Sequence, residues 1–532
     1  MFITDSIESR NLDRAAINLG LKGLVLMENA SRSIFQIALD FWPDLALSSA
    51  RPVAVLVGPG QNGGDGLVLA RLFAAKGHPV MVYRFGHPPQ GDAAVNLALY
   101  NNLGLPINDP ATLESLRRIN PAALLIDAVF GVGLKKKLNN DPTLNEELLV
   151  AGLASHLGPV LAVDLPSGLS ADTGEAFYPV KKADLTVTIG TYKRGLFLRH
   201  GPSYSGAIRV ADLGYTPEMF EKARPKGQYL DESLARSFLK PRFSDGHKGS
   251  FGHATLAGGG PGKTGALALA TLGALRSGCG LVTAAYPQSA SLALTQDLIS
   301  AMTLALPVDA EGQLAPKAAD SLLAFIKTKN KPLGLGPGLG LDQSAERLVH
   351  KVASDCLNPL VLDADALTLL ANDLNVLTTA QGPRIMTPHP GEAGRLLGVS
   401  SKEIEADRFK ALMDLGQATK AVVLLKGANT LILEPLSLEY LINSSGGPIL
   451  AVGGSGDVLT GLITGLLAQG HSPFKAAALG AFVHGRAGDL AAQKYGSRGV
   501  LPTEMAAFIP EVFASLADGQ ASFLAQKTQS AI

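Results

Sequence analysis

Apolar and polar positions change rhythm several times along the 532 residues. Residues 12 to 41 carry apolar side chains at helical spacing. The run Val53-Ala-Val-Leu-Val57 then reads as a buried strand leading straight into Gly58-Pro-Gly-Gln-Asn-Gly-Gly-Asp-Gly66. His78 to Tyr83, Ala123 to Ile126 and Val160 to Val163 are further β-rich runs, the last two stopping at Asp127 and Asp164. Such runs alternating with helix-length segments predict an α/β fold, with a parallel sheet covered by helices on both faces. Ligands of such sheets sit outside the carboxyl ends of the strands, so the glycine-rich elbow, Asp127 and Asp164 should share one edge.

A charged stretch with two prolines, Pro217 to Gln228, interrupts this pattern and marks a domain boundary. A second glycine-dense α/β pattern runs from Gly249 to about Gln493. Its strands are expected at His253 to Leu256, Pro332 to Leu335, Leu360 to Leu362, Arg384 to Met386 and Ala421 to Leu425. A second elbow, Gly453-Gly-Ser-Gly-Asp457, lies near its end. The expected architecture is two three-layer α/β domains, 1–217 and 226–518, with a polar, frayed tail at 519–532.

Composition removes several function classes. Lys plus Arg and Asp plus Glu both number 46, so the net charge is zero and nothing favours nucleic acid or an anionic membrane as partner. Only Cys279 and Cys356 occur, without metal-ligand spacing, which argues against a disulfide framework and a thiolate zinc site. The first residues lack the basic-then-apolar order of a signal peptide, and no apolar run is long enough to span a membrane. A cytoplasmic protein is expected.

Each elbow precedes a helical pattern, so its backbone N–H groups can cradle an anion while the aspartate moves or positions a proton. Neither has the dinucleotide-binding G-x-G-x-x-G spacing. In the first, Asn62 and Asp65 should stand in a loop that Gly63, Gly64 and Gly66 allow to approach a ligand. Four more segments accompany it: Leu26-Met-Glu-Asn-Ala30, Asp127-Ala-Val-Phe-Gly-Val-Gly-Leu134, Val163-Asp-Leu-Pro-Ser-Gly-Leu169 and Ala183-Asp-Leu-Thr-Val-Thr-Ile-Gly-Thr-Tyr-Lys193. Together they resemble the NAD(P)H-hydrate epimerases over about residues 1 to 215.

That resemblance implies a Rossmann-like epimerase domain with K⁺ on Asn62, Asp127 and Ser167, oxygen donors suited to a hard cation. It places substrate contacts at Gln61, Asn62, Gly63, Gly64 and Asp65, at Gly131, Val132, Gly133, Leu134, Lys135, Lys136 and Lys137, and at Asp164. Asp164 is the expected acid/base and Lys193 a second candidate. Gln61 replaces the first of the family's usual two asparagines but keeps an amide. The three lysines could bind substrate phosphates, or form a solvated basic face.

In the second half, Ala257-Gly-Gly-Gly-Pro-Gly-Lys-Thr264 approximates a P-loop whose first glycine is missing. A wider pattern accounts for the same residues: Lys248-Gly-Ser-Phe-Gly252, Gly258-Gly-Gly260, Gly265-Ala-Leu-Ala-Leu-Ala270, Gly336-Pro-Gly-Leu-Gly340, Leu362-Asp-Ala-Asp-Ala-Leu367, Thr387-Pro-His-Pro-Gly-Glu392, Leu425-Lys-Gly-Ala-Asn-Thr430 and Gly454-Ser-Gly-Asp457. Over about residues 226 to 515 it resembles the nucleotide-dependent NAD(P)H-hydrate dehydratases, which are ribokinase-like. Taken singly, a His before Pro is a turn residue, and Asp363 and Asp365 are strand-end turn formers.

By this resemblance Ser455 and Gly456 stabilise phosphoryl charge and Asp457 is the base. Lys426, Gly427, Ala428, Asn429, Thr430 and Gly456 hold the adenine nucleotide. Ala266, Gly340, His389 and Asp457 contact the hydrate, and Glu392 is a Mg²⁺ candidate. Ser455 stands where threonine is common and keeps the hydroxyl. The implied whole is a homo-oligomer, a tetramer being favoured, that interconverts the R and S hydrates of NADH and NADPH (NADHX and NADPHX). It would dehydrate the S form with Mg²⁺ and ADP, releasing AMP and phosphate, since the fused arrangement resembles bacterial and archaeal members that use ADP. The first rival is a ribokinase-type small-molecule kinase with an attached cofactor-binding or regulatory domain. The second keeps the first domain as a non-enzymatic cofactor sensor.

Overall fold

The computed structural model describes residues 1–44, 52–109, 122–134, 146–242, 244–291, 298–327 and 331–518. The chain divides into two units, Met1–Gly227 and Gln228–Ile532. In the first, β1 (Phe2–Thr4), α1 (Ser6–Asn18) and α2 (Gly23–Phe41) lead to β2 (Val53–Val57) and α3 (Gln61–Ala75). Then follow β3 (Val80–Arg84), α4 (Asp92–Asn102), β4 (Ile107–Asn108), β5 (Leu124–Ala128), α5 (Glu146–Ser155), β6 (Val160–Val163), β7 (Leu185–Ile189), β8 (Tyr192–Lys193) and β9 (Ala207–Ala211).

The sheet order is β4-β3-β2-β5-β6-β7-β9, with parallel pairing throughout. Successive residues of β2 serve opposite faces: Val53, Val55 and Val57 pack with Ile34, Leu69 and Phe73, whereas Ala54 and Leu56 pack with Leu149 and Leu153. Both faces are covered, which is why the strands read as continuous apolar runs. Strand order reverses between β2 and β5, and a doubly wound sheet opens its ligand crevice at that switch point.

The helical pattern of residues 12–41 is two helices, not one, because the chain turns at Gly20 with φ +103°. Asp5 starts α1 through a capping box with Glu8. The elbow loop is also corrected, since Gln61 to Gly66 are helical and belong to the start of α3. Their glycines serve close packing. A Cβ on Gly63 would lie 2.0 Å from the Gly58 carbonyl oxygen, and one on Gly66 would lie 2.6 Å from the Ala128 Cβ.

The charged stretch after β9 folds in part as the helix Pro217–Ala223. Beyond it β10 (Gly227–Leu230) spans the division. The second unit continues with β11 (His253–Ala257), α6 (Thr264–Arg276), β12 (Leu281–Pro287), β13 (Met302–Leu306), β14 (Leu333–Leu335), β15 (Leu360–Leu362), β16 (Arg384–Met386), α7 (Pro390–Leu397), α8 (Arg408–Thr419), β17 (Val422–Leu425), β18 (Leu431–Glu434), β19 (Glu439–Asn443), α9 (Ser455–Ala468) and α10 (Pro473–Tyr495).

Its order runs β13-β12-β11-β14-β15-β16-β17-β18-β19. Pairing is parallel as far as β17 and antiparallel across β17, β18 and β19, so the sheet is mixed where the sequence predicts only parallel strands. Helix α9 is apolar almost all round because it is buried among the sheet, α6 and α10. Glycines bring α6 and α9 together: a Cβ on Gly461 would lie 1.7 Å from the Ala270 carbonyl oxygen, and one on Gly273 2.1 Å from that of Val458. This contact fixes the second elbow at the head of α9. Among the described residues no helix is long and apolar enough to cross a membrane.

Candidate active sites

In the first unit a cavity of about 570 Å³ opens at the switch point between β2 and β5. The elbow contributes Gly60, Gln61, Asn62 and Asp65 to it, the segment after β5 contributes Gly131, Val132, Gly133 and Leu134, and Asp164 and Lys193 complete it. Gly63 and Gly64 are buried in α3 and do not line it. Lys135, Lys136 and Lys137 lie outside the described residues.

Asp164 follows β6 with φ +67°, a left-handed conformation uncommon for residues with a Cβ, and its N–H donates to the Val187 carbonyl at 2.9 Å. Its Oδ1 accepts from Thr188 Oγ1 and the Ile189 N–H, both at 3.1 Å, and forms a 2.9 Å ion pair with the buried Lys193 Nζ. The Val132 N–H donates to Oδ2 at 3.3 Å. Lys193 is held in turn by the Ile189 carbonyl at 2.7 Å. The carboxylate and ammonium therefore form one fixed pair on the cavity. Gly131 is needed beside it, because a Cβ there would lie 2.8 Å from Asp164 Oδ2 and 3.1 Å from Asn62 Oδ1.

Burial and the nearby Asp164 charge push the Asp65 carboxyl well above the usual carboxylate range, against a 3.3 Å hydrogen bond from Ser31 Oγ. Asp127 Oδ1 accepts from Ser167 Oγ at 2.5 Å and Oδ2 from the Ser167 N–H at 2.8 Å. Burial pushes its carboxyl up as well. The Phe130 N–H donates to Ser167 Oγ at 3.0 Å, so the 128–131 backbone links this pair to Gly131 and Asn62. Asn62 is buried and its Nδ2 has no hydrogen-bond partner. The Asp127 carboxylate, the Ser167 hydroxyl and the carboxamide oxygen of Asn62 are oxygen donors that fit K⁺, whereas the unpartnered Nδ2 is a hydrogen-bond donor.

Sequence reasoning missed Asp13, on α1, which also lines the cavity. Tyr215 Oη donates to Asp13 Oδ1. Burial raises the Asp13 carboxyl. The residues lie far apart in the chain and no motif joins them.

In the second unit α9 begins at Ser455 after Gly454, whose φ is +91°. The first N–H groups of a helix lack intrahelical acceptors and point at whatever sits above the N-terminus. Asp457 is pushed up to about 7 by burial, then by the Asp363 charge, with Lys426 opposing. Asp363 is buried; its Oδ1 accepts from Lys426 Nζ at 2.8 Å and its Oδ2 from Thr460 Oγ1 at 2.6 Å. Lys426 Nζ also lies 3.8 Å from Glu392 Oε2. A Cβ on Gly456 would be 3.4 Å from Lys426 Nζ, so the elbow rests directly on this charged cluster.

His389 caps α7: its Nδ1 accepts from the Gly391 N–H at 2.9 Å, leaving Nε2, 3.5 Å from Glu392 Oε1, as the protonated nitrogen. Burial lowers its pKa. Glu392 closes the capping box by accepting the His389 N–H at 2.8 Å. Ala364, with φ +51°, turns the chain between Asp363 and Asp365, and Asp365 Oδ2 accepts from the Gly340 N–H at 2.9 Å and Lys263 Nζ at 3.0 Å. A Cβ on Gly338 would be 3.0 Å from the Ala266 Cβ. Gly340 and Ala266 therefore adjoin the Asp457 cluster through Asp365, whose charge Asp457 feels.

The P-loop alternative fails on packing. A Cβ on Gly258 would strike the Pro337 carbonyl oxygen at 2.0 Å and one on Gly260 that of Leu339 at 2.6 Å, so these glycines admit a neighbouring loop, while Lys263 is occupied by Asp365. Two supports went unseen in the sequence. Buried Arg408 donates to the carbonyls of Leu425, Lys426 and Ala428, bracing the 426–430 segment, and a Cβ on Gly427 would lie 2.7 Å from its Nη2. His484, lowered to about 4 by burial, lies 3.2 Å from Ser455 Oγ.

Comparison with known proteins covers both units. Residues 254–511 match the NAD(P)H-hydrate dehydratase family model, and residues 23–195 match that of the YjeF-related protein N-terminus. A bifunctional NAD(P)H-hydrate repair enzyme of Moorella thermoacetica is 39% identical over 524 residues, 97% of each chain. That of Coxiella burnetii is 37% identical, covering 93% of this chain and 96% of its own. Among solved structures, the ADP/ATP-dependent NAD(P)H-hydrate dehydratase from Bacillus subtilis, co-crystallised with ATP/Mg²⁺, is 28% identical with a TM-score of 0.47. It covers 54% of this chain and 98% of its own.

Proposed function

The chain belongs to the family of bifunctional NAD(P)H-hydrate repair enzymes, and on that premise we propose how its two units share one substrate pool. The protein epimerises NAD(P)H hydrates and dehydrates them. The relatives align across both units, which disfavours a lone ribokinase-type kinase with an accessory domain.

In the first unit the hydrated nicotinamide enters the cavity at the switch point, and the Asp164 carboxylate takes and returns a proton while Lys193 holds it in place. Lys193 is thereby a partner of Asp164 more than a separate base. K⁺, where bound, would be held by Asn62, Asp127 and Ser167 and would supply a fixed positive charge beside the ring.

In the second unit the Gly456 N–H faces the transferred phosphoryl, the Ser455 N–H donating instead to the Val452 carbonyl at 3.3 Å, the 426–430 segment holds the adenine nucleotide, and Asp457 removes the proton from the hydrate's C6 hydroxyl. Phosphorylation turns a poor leaving group, hydroxide, into a good one, and the ring nitrogen lone pair then expels phosphate. Mg²⁺ would neutralise nucleotide phosphate charge; it keeps most of its waters, so Glu392, already accepting the His389 N–H, would reach it through water. His389, half-exposed and protonated on Nε2, can donate to the hydrate. The observation carrying this reading is Asp457 at the head of α9, poised near neutrality by burial and the Asp363 charge against the opposing Lys426.

The test gives a mixed R and S hydrate preparation to the protein with ADP and Mg²⁺. Complete recovery of reduced-cofactor absorbance is expected, with AMP formed. Recovery that stops at the S fraction would remove the epimerase half, none at all would remove the dehydratase half, and turnover only with ATP would remove the ADP assignment.

A further inference from the structure

Inversion at C6 of the hydrated ring needs a proton delivered to one oxygen and taken from another, on the two faces of the ring. Asp164 and Lys193 are locked in a single ion pair and so act as one group. The same cavity carries a second acid on an element remote from β6: Asp13 of α1, whose Oδ1 is occupied by Tyr215 Oη. We propose that Asp13, held by Tyr215, is the second proton-handling residue of the epimerase cavity, working on the ring face that Asp164 does not serve.

This assignment rests on the epimerase reading of the first unit. Asp13 protonates the C6 hydroxyl, the C6–O bond breaks, water leaves, and the ring nitrogen lone pair makes C6 planar. Water adds to the other face, forming the new C6–O bond, and its proton passes to the Asp164 carboxylate while the electron pair returns to nitrogen. One water leaves and one enters; Asp13 has lost the proton that Asp164 has gained, and turnover of the opposite epimer, or exchange with solvent, restores both.

Burial keeps the Asp13 carboxyl raised, as an acid of this kind requires, and the Tyr215 hydrogen bond opposes the rise. The titratable groups acting on it are Tyr215, Lys193 and Asp164, it acts in turn on Asp65, and Arg10, one turn back on α1, also lines the cavity.

The experiment follows R-to-S conversion by chromatography in wild type, D13N and Y215F across pH, with calorimetric unfolding of each sample as the folding control for the first unit and dehydration of purified S hydrate as that for the second. Wild type should lose epimerase activity as pH rises past the Asp13 pKa. D13N should fall about 100-fold and lose that alkaline limb. Tyr215 lowers the Asp13 pKa, so Y215F should carry the limb to higher pH, a displacement that a purely structural role would not produce. A D13N fall of less than about tenfold, or a Y215F limb that stays in place, overturns the assignment. An inactive wild type would sink the epimerase reading with it, whereas an active wild type with an equally active D13N sinks Asp13 alone.

Discussion

Replacing Asp363 by asparagine should move the pH at which dehydration fails, and the charges around Asp457 fix the direction. Burial and Asp363 carry the Asp457 carboxyl from 3.8 to about 7, with Lys426 opposing. At about 1.4 kcal/mol per pH unit, that rise disfavours the ionised form by about 4 kcal/mol. A base must be ionised, so turnover should be half-maximal at about pH 7, nearly full one unit above it and about a tenth one unit below. A nucleotide phosphate also titrates near about 6, so the wild-type profile cannot by itself identify the group. The Asp363→Asn substitution removes a negative charge from beside Asp457 and releases Lys426 from its 2.8 Å ion pair. Both changes favour the carboxylate, and the limb should fall by on the order of one pH unit, about 1.4 kcal/mol, whereas a phosphate limb would remain. The assay is kcat for S hydrate at saturating nucleotide between about pH 5 and about pH 9, the span over which such a base titrates. A limb that stays or moves upward in D363N would refute Asp457 as the titrating base.

Four further outcomes follow from the same geometry. Gly456→Ala meets no clash, its Cβ lying 3.4 Å from Lys426 Nζ, so stability by denaturation should hold or rise by about 0.5–1 kcal/mol while phosphoryl transfer, crowded by the added methyl, falls about 100-fold. Gly131→Ala would put its Cβ 2.8 Å from Asp164 Oδ2; R-to-S conversion should be lost with S-hydrate dehydration retained, each followed by chromatography. Arg408→Gln leaves buried carbonyls of the 426–430 segment without donors, so titration should show nucleotide affinity down about tenfold and chemical denaturation a loss of about 2 kcal/mol. Asp457→Asn should stabilise the fold at alkaline pH: the folded pKa is raised, so wild type loses stability as pH climbs from 3.8 to about 7, by up to about 4 kcal/mol, and denaturation midpoints should converge near pH 4.

Much of the sheet was legible because strands buried on both faces leave short apolar runs, and β2, β6, β15 and β16 coincide with them. Strands β18 and β19 were not, although Leu431 to Leu433 and Tyr440 to Ile442 are apolar and buried, because these short runs are joined by a tight Glu434–Glu439 connection with no helix between them and so fall outside the strand–helix alternation. The glycines of the first elbow signal close approach but not its partner: Gly63 and Gly66 admit Gly58 and Ala128 while helical, a use that sequence cannot separate from a flexible loop. The site residues that escaped, Asp13 with Tyr215, Asp363 with Thr460, and Arg408, act through tertiary contacts spanning up to 202 residues, where no local spacing exists to be read.

The two elbows look alike in sequence but set their aspartates differently, and this separates their chemistry. Asp457 is the third residue of α9, inside the first turn, where the helix dipole acts, and Lys426 limits its pKa rise to about 7. Asp65 is the fifth residue of α3, past the first turn, and burial and then the Asp164 charge hold its carboxyl well above the usual range against a hydrogen bond from Ser31. A base must be ionised to take a proton, and burial works against that in both carboxyls. Lys426 is thus what sets Asp457 apart from Asp65 and suits it to the base role proposed for it, while the proposed proton transfer of the first cavity falls to Asp164 after β6 and Asp13 on α1.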